Sequence, residues 1–321
     1  MSDDQGLDAR ALARYSRQLI LPGFGAPAQR ALQNARVLVV GAGGLGCPAV
    51  QYLAAAGVGT ITVVDADHVE ASNLSRQILH SDARVGMNKA QSIAQAISTL
   101  NPFVTVRAVE AQFGPENAVS LVEAHDLVLD CTDNVLTRYL ISDAGVLADK
   151  PILSGAAQGY EGQLITLHQS LGGEQRGPCY RCLFPQSPRP EHTQSCDDGG
   201  ILGCVTGLVG TWQAMEAIKV LTGLGDKTPN MLFFTPMSIP QVRSVRVRPR
   251  QVHLPWDTIR RDSTAAKATI MDAADGRDIL MLCRRGNDSR EATRLLQLPH
   301  CFNVRGGLRS YATVDTSFPM Y

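Results

Sequence analysis

RVLVVGAGGLGCPAVQYLAAAG, residues 36–57, decides the fold. Its first five residues are a β-branched and leucine run, too short for a helix and closed by glycine. That predicts a buried strand over Arg36–Val40. A glycine-rich turn and a small-residue apolar stretch follow, predicting a helix to Gly57, and TITVVD, residues 60–65, is the next strand. Gly41, Gly43 and Gly46 satisfy G-x-G-x-x-G between strand and helix. Such a turn lets backbone N–H groups approach a phosphate at a helix N-terminus. Asp65, ending the second strand, is placed to accept hydrogen bonds from a ribose. On these residues alone, a nicotinamide or flavin dehydrogenase is the plain reading.

Outward from this unit the same alternation continues. Strands are expected at Thr105–Val109, Asp126–Asp130 and Pro151–Gly155, with helices at Asn88–Leu100, Glu116–Ala124 and Val135–Asp149. Strands alternating with helices predict an α/β fold, a doubly wound Rossmann-like parallel sheet. After Gly155 the pattern changes. EGQLITLH, residues 161–168, reads as an antiparallel strand, and the stretch to Gly200 is rich in Pro, Gly, Ser and Cys. A helix is expected from about Ile201 to Leu221, then strands near Met231–Thr235 and Val242–Val247. Residues 249–267 read as a linker, and the tail returns to strand, turn and helix.

The composition is that of a globular protein, 44% hydrophobic and 19% charged over 321 residues. Thirty basic and thirty acidic residues cancel, which gives no pull toward nucleic acid or an anionic membrane. The opening MSDDQGLDAR is acidic, without the apolar core of a secretory signal, and residues 37–64 are too broken by glycine to span a membrane. Eight cysteines in that setting point to a reducing compartment, with cytoplasm the expected location.

Further residues turn the phosphate loop away from a dehydrogenase. Arg76 and Lys89 are cations that a triphosphate needs and a nicotinamide does not. Asp133, beyond the fourth strand, suits Mg²⁺, which takes one or two protein carboxylates plus phosphate oxygens. The plain alternatives are solvated surface for the cations and a helix N-cap for Asp133. The ordered set RYSRQLILPGFG, GAGGLGCP, DADHVEASNLSRQ, GMNKA, DCTDN, ILSGAAQGYEGQL, CYRCLFP and LVGTWQAMEAIK resembles the ubiquitin-activating-enzyme-like adenylyltransferases that serve sulfur-carrier proteins. The resemblance runs from about Tyr15 to Val247. It implies that Gly41, Gly43, Gly44, Asp65, Ser72, Asn73, Leu74, Ser75, Arg76, Lys89, Asp133 and Asn134 contact ATP or its magnesium. It also implies a homodimer in which Arg17 reaches the partner's phosphates, and a ubiquitin-like substrate ending in Gly-Gly whose C-terminal carboxylate is adenylated.

The cysteines divide. Cys47, Cys131, Cys204 and Cys301 read as small buried hydrophobes. Cys196 lies in a polar loop, HTQSCDDGG, and by resemblance is the crossover-loop cysteine that takes the activated carboxylate or joins it through sulfur. Cys283 opens CRRGNDS before a helix, a loop that aims backbone N–H groups at a thiolate or persulfide. With VRGGLRSYATVDTSFPMY it resembles the rhodanese domain of eukaryotic molybdopterin-synthase sulfurylases, enzymes that also thiolate transfer RNA. The resemblance implies sulfur received from a persulfide donor such as a cysteine desulfurase and passed on as a thiocarboxylate.

The expected organisation is an adenylation domain over 10–248, the linker over 249–267, and a rhodanese-like module over 268–321 shortened at its front. An adenylyltransferase alone, or a non-catalytic partner of a ubiquitin-like protein, are the other readings. Cys179 and Cys182 form half of a zinc clamp, but the second Cys-x-x-Cys expected by resemblance is missing from SVRVRPRQVHLPW. Weak or absent zinc is therefore expected.

Overall fold

A computed structural model describes residues 7–173, 175–185, 200–237, 241–247, 256–274, 279–281, 287–299 and 301–303. Helices α1 (Ala9–Leu19) and α2 (Gly25–Asn34) lead into β1 (Arg36–Val40), α3 (Gly46–Ala56) and β2 (Thr60–Val64). Then follow α4 (Lys89–Leu100), β3 (Thr105–Val109), α5 (Ala118–Glu123), β4 (Leu127–Asp130), α6 (Val135–Leu147) and β5 (Ile152–Gln158). The chain reverses into β6 (Glu161–Leu167), a small hairpin of β7 (Ser170–Gly172) and β8 (Gln175–Arg176), and a short helix α7 (Tyr180–Leu183). The long α8 (Gly203–Thr222) returns it to β9 (Asn230–Phe234) and β10 (Val242–Arg246).

The sheet order is β10-β9-β6-β5-β4-β1-β2-β3. The five strands from β5 to β3 pair in parallel, as the strand–helix alternation predicts. Strands β6, β9 and β10 extend it with antiparallel pairs, so the complete sheet is mixed. Strand β1 is buried at every residue but Arg36, because helices cover a parallel sheet on both faces. Alternate residues serve separate cores. Val37, Val39, Ile61 and Val63 meet Leu53 of α3, Ile93 of α4 and Val209 of α8. Leu38 and Val128 meet Val119 of α5, Tyr139 and Ile141 of α6 and Tyr180 of α7. At the sheet's edge all five residues of β10 are exposed.

The C-terminal residues build a third, separate core. Helices α9 (Trp256–Arg261) and α10 (Ser263–Ala274) precede β11 (Ile279–Met281), α11 (Asn287–Leu296) and β12 (Cys301–Asn303). Strands β11 and β12 pair in parallel, and Ile259, Ala266, Ile270, Ala292, Leu296 and Leu298 pack together. Residues 256–267, expected as linker, are thus mostly helical. Their many charges hid the wide spacing of Ile259, Ala266 and Ile270, while the alanine content favours a helix.

Candidate functional site

Strand order reverses between β1 and β4, and the crevice beyond the carboxyl ends of those strands is where such sheets bind ligands. A cavity of about 880 Å³ opens there, walled by the loop from Gly41 to Leu45. Gly41 adopts φ +99°, and a Cβ there would lie 2.7 Å from the Cys131 carbonyl oxygen. The loop must pass that close to β4 for the helix to start where it does. A Cβ at Gly46 would sit 2.1 Å from the Gly41 oxygen, which tightens the same turn. Among the described residues, no acceptor faces the N–H groups of Gly43 and Gly44. These are orphan donors at the N-terminus of an eleven-residue helix.

Asp65 braces this loop as well as facing the cavity. Its Oδ2 accepts from the Ala42 N–H at 2.7 Å and its Oδ1 from the Asp67 N–H at 2.8 Å. Burial raises its pKa against the pull of those two donors. Asn88 caps α4 by accepting from the N–H groups of Ala90 and Gln91. Its amide also donates to the carbonyls of Asp65 and Asp67, tying β2 to the helix. The next residue, Lys89, is thereby delivered into the cavity wall, where its Nζ pairs with Asp67 at 2.8 Å.

The SNLSRQ stretch divides its work. Arg76 lines the cavity, donating to the Ser72 carbonyl at 3.1 Å and to Asn73 Oδ1 at 3.2 Å. Ser72, Asn73, Leu74 and Ser75 are not in the wall: Asn73 is buried and orients Arg76, and the Ser72 hydroxyl donates to Glu70.

Asp130 and Asp133 have opposite fates. Asp130 is completely buried and accepts from Arg138 Nε at 3.0 Å, the Ser154 hydroxyl at 2.6 Å and the Thr132 hydroxyl at 2.7 Å. Arg138 also donates to the carbonyls of Thr132 and Gly155, so one guanidinium joins β4, α6 and β5. Asp133 is exposed in the cavity wall, without an ion-pair partner among the described residues. The cap of α6 belongs to Asn134, whose Oδ1 accepts from Leu136 and Thr137, and not to Asp133. Gln213 of α8 donates to the carbonyls of Asp130 and Leu153 from a fully buried position. Asp130, Arg138 and Gln213 were missed from sequence; the available signal was a polar residue inside an otherwise apolar helix or strand.

Arg17 is exposed on α1 and is not in this chain's cavity wall. Cys47 and Cys131 are buried, as expected, and burial pushes the Cys47 thiol up to about 12. Cys204 is exposed at the start of α8, and Cys301 is only partly buried; both correct the expectation of buried hydrophobes. The apolar pattern of α8 misplaced Cys204, which precedes the first residue the helix buries. Cys196 and Cys283 lie outside the described residues.

Cys179 and Cys182 are buried with their sulfurs 3.6 Å apart. Among the described residues no third His, Cys, Asp or Glu joins them in a metal-binding group, so they supply only half of a tetrahedral set. Their short helix is held by side chains. Arg181 makes a two-pronged ion pair with Asp143, 2.8 Å at each nitrogen, and lies over the Tyr139 ring at 4.9 Å. The Tyr180 N–H donates to Ser142, and the Tyr139 hydroxyl donates to the Phe184 carbonyl at 2.7 Å.

A doubly wound α/β fold with a glycine-rich loop, two cations and an open carboxylate at its switch point is a defined class. The ThiF family model matches residues 15–255, and the chain belongs to that family. It is 50% identical over 240 residues to the adenylyltransferase and sulfurtransferase MOCS3 of Drosophila sechellia, covering 75% of this chain and 52% of that protein. It is 51% identical over 245 residues to the adenylyltransferase and sulfurtransferase uba4 of Emericella nidulans, covering 74% of this chain and 51% of that protein. The chain thus spans about half the length of these curated relatives. Against MOCS3 of Drosophila grimshawi the match is 36% over 399 residues, covering 99% of this chain and 88% of the relative. Of solved structures, E. coli MccB with succinimide shares the fold at TM-score 0.61 and 21% identity, covering 74% of this chain and 71% of that chain. PaaA does so at TM-score 0.62 and 18% identity, covering 77% and 78%.

Proposed function

We propose that the protein is an ATP-dependent adenylyltransferase that activates the C-terminal glycine of a ubiquitin-like sulfur-carrier protein. The observation that carries this reading is the convergence of four kinds of group on one cavity. Unpaired Gly43 and Gly44 N–H donors, Arg76, Lys89 and the open carboxylate of Asp133 meet there. A dehydrogenase needs neither the cations nor the carboxylate, whereas a triphosphate and a divalent cation fit this donor and acceptor set.

The carrier's carboxylate oxygen attacks the α-phosphorus of ATP, forming the acyl-adenylate as the bond to pyrophosphate breaks. Both reactants are anions, so the site must hold them together and offset their charge. Arg76, Lys89 and the loop N–H groups do this from one chain, and Arg17 from the partner of a homodimer. Ser72, Asn73, Leu74 and Ser75 serve the nucleotide by shaping the Arg76 segment, and Asn134 by capping α6 beside it. Asp133 would hold a magnesium ion, which when bound neutralises phosphate charge.

Sulfur transfer follows. A persulfide on Cys283, loaded by a donor such as a cysteine desulfurase, delivers sulfur to the activated carbonyl, and AMP leaves. The Cys196 thiolate then attacks the Cys283 sulfur and breaks the sulfur–sulfur bond. The carrier thiocarboxylate leaves for transfer-RNA thiolation or molybdopterin synthesis, and a dithiol reductant reopens the resulting Cys196–Cys283 disulfide. The names of the matched relatives support both activities. One observation favours a second reading, adenylyltransfer with sulfur supplied from elsewhere. The 399-position match to the Drosophila grimshawi relative leaves at least 78 positions facing no residue of this 321-residue chain. That agrees with a rhodanese-like module shortened near Arg250, where the second cysteine pair is also missing.

No helix of the described residues is long and apolar enough to cross a membrane. The test is mass spectrometry of a Gly-Gly-ending carrier after incubation with protein, ATP and a persulfide source. A carrier heavier by one sulfur in place of oxygen is the expected product. An unchanged carrier together with no carrier-dependent pyrophosphate exchange overturns the proposal.

A further inference from the structure

Beneath the phosphate loop lies a buried group that the proposed chemistry does not use. His80, 7% exposed, follows SNLSRQ and places Nε2 at 3.0 Å from the Ala42 carbonyl oxygen. Its Nδ1 is 2.9 Å from the hydroxyl of Ser92 on α4. A carbonyl can only accept, so Nε2 carries the proton, and in the neutral ring Nδ1 then accepts from Ser92. The Cys47 thiol reaches the same carbonyl at 3.6 Å and stays 3.8 Å from Nε2. The neighbouring amide is held as firmly, since the Ala42 N–H donates to Asp65.

Both polar groups of Ala42 are thus fixed by side chains, which sets the two peptide planes on either side of it. In a trans peptide the carbonyl and the following N–H point in opposite directions. Drawing the Ala42 oxygen inward under His80 therefore turns the Gly43 N–H outward, and Gly43 is in the cavity wall with no acceptor among the described residues.

We propose that His80 is a positioning residue for nucleotide phosphate: held by Ser92, it fixes the Ala42–Gly43 peptide so that the Gly43 N–H faces the phosphates of ATP. The inference rests on the nucleotide-binding reading above. It predicts a defect confined to the phosphates, because adenosine would occupy the same cavity without touching that N–H.

Calorimetric binding of ATP and of adenosine to the full chain tests it. His80→Phe keeps a ring but removes the donor, and should weaken ATP roughly tenfold or more, the worth of a hydrogen bond to a charged group. Adenosine affinity should stay within about twofold, a split that general loosening of the fold does not produce. His80→Gln restores an N–H near the same place and should recover ATP affinity to within about threefold of the parent. ATP affinity of His80→Phe within about twofold of the parent overturns the inference, as does equal loss of ATP and adenosine. Should His80→Phe fail to fold, Ser92→Ala must weaken ATP more than adenosine, and equal affinities then overturn it. A parent protein that binds neither ligand refutes the functional proposal itself.

Discussion

The end of β4 beside the phosphate loop and the Cys-x-x-Cys helix are each held by a buried aspartate–arginine pair. Arg138 pairs with Asp130 at the end of β4, and Arg181 of the cysteine helix pairs with Asp143. Around Arg181 the polar groups are turned inward, onto Asp143, Ser142 and the Phe184 carbonyl. Around Arg138 the buried groups are equally well matched, yet the next layer out leaves Asp133 and two glycine N–H groups facing open space. Burial of charge is common to both places and says little about function. Unfinished polar valence beside it marks the place where a ligand belongs.

The two aspartates of DCTDN separate these roles most sharply. Asp133→Ala should abolish carrier-dependent pyrophosphate exchange, a fall of about a hundredfold or more. Its urea midpoint should stay at the parent value, because the side chain is exposed and unpaired. Exchange that persists would remove Asp133 from the site. Asp130→Ala should do the reverse in origin: it strands a buried guanidinium, costing about 3–5 kcal/mol of stability in urea unfolding.

Arg181→Met tests the cysteine helix. It leaves the Asp143 carboxylate buried and unpaired, and should cost about 3 kcal/mol. Exchange activity per folded molecule should hold, since no part of that cluster but Tyr180 and Phe184 reaches the cavity wall. A variant that folds normally but loses exchange would mean that the two clusters are one site.

The smallest effect expected is that of acid. Burial is the largest influence on His80 and on His125, and it lowers both pKa values from 6.5. Arg84 and Lys89 add to the lowering at His80, against the Ala42 hydrogen bond. The stabilisation tied to these neutral rings is complete above pH 6.5 and is lost as pH falls through their lowered folded values. Urea midpoints measured between pH 7 and 5 should therefore fall, and fall less in His125→Gln.

Much of the fold was legible because parallel strands bury both faces. RVLVV, closed by Gly41, and TITVV, opening after Gly59, read as short β-branched runs, and both became interior strands of the sheet. The cations and Asp133 were legible because their spacing belongs to linear motifs. The bracing was not. Asp130, Ser154 and Gln213 come together only when β4, β5 and α8 have packed, and nothing in their separate neighbourhoods announces a shared hydrogen bond. The plain alternative for Asp133, an N-cap of α6, lies one residue early: Asp and Asn are both good caps, and only the turn geometry chooses Asn134. The helices over 256–274 escaped because their buried residues, Ile259, Ala266 and Ile270, are few and widely spaced.

The exposed strand β10 has a consequence for how the protein keeps to itself. A sheet that ends in a row of unpaired backbone groups invites another chain to add a strand, and through that to aggregate. Val242 and Val245 would make such stacking favourable, but Arg243 and Arg246 stand among them in the same exposed strand. Edge against edge in a crowded solution, two copies would set these like charges beside each other, so the arginines act as gatekeepers of solubility.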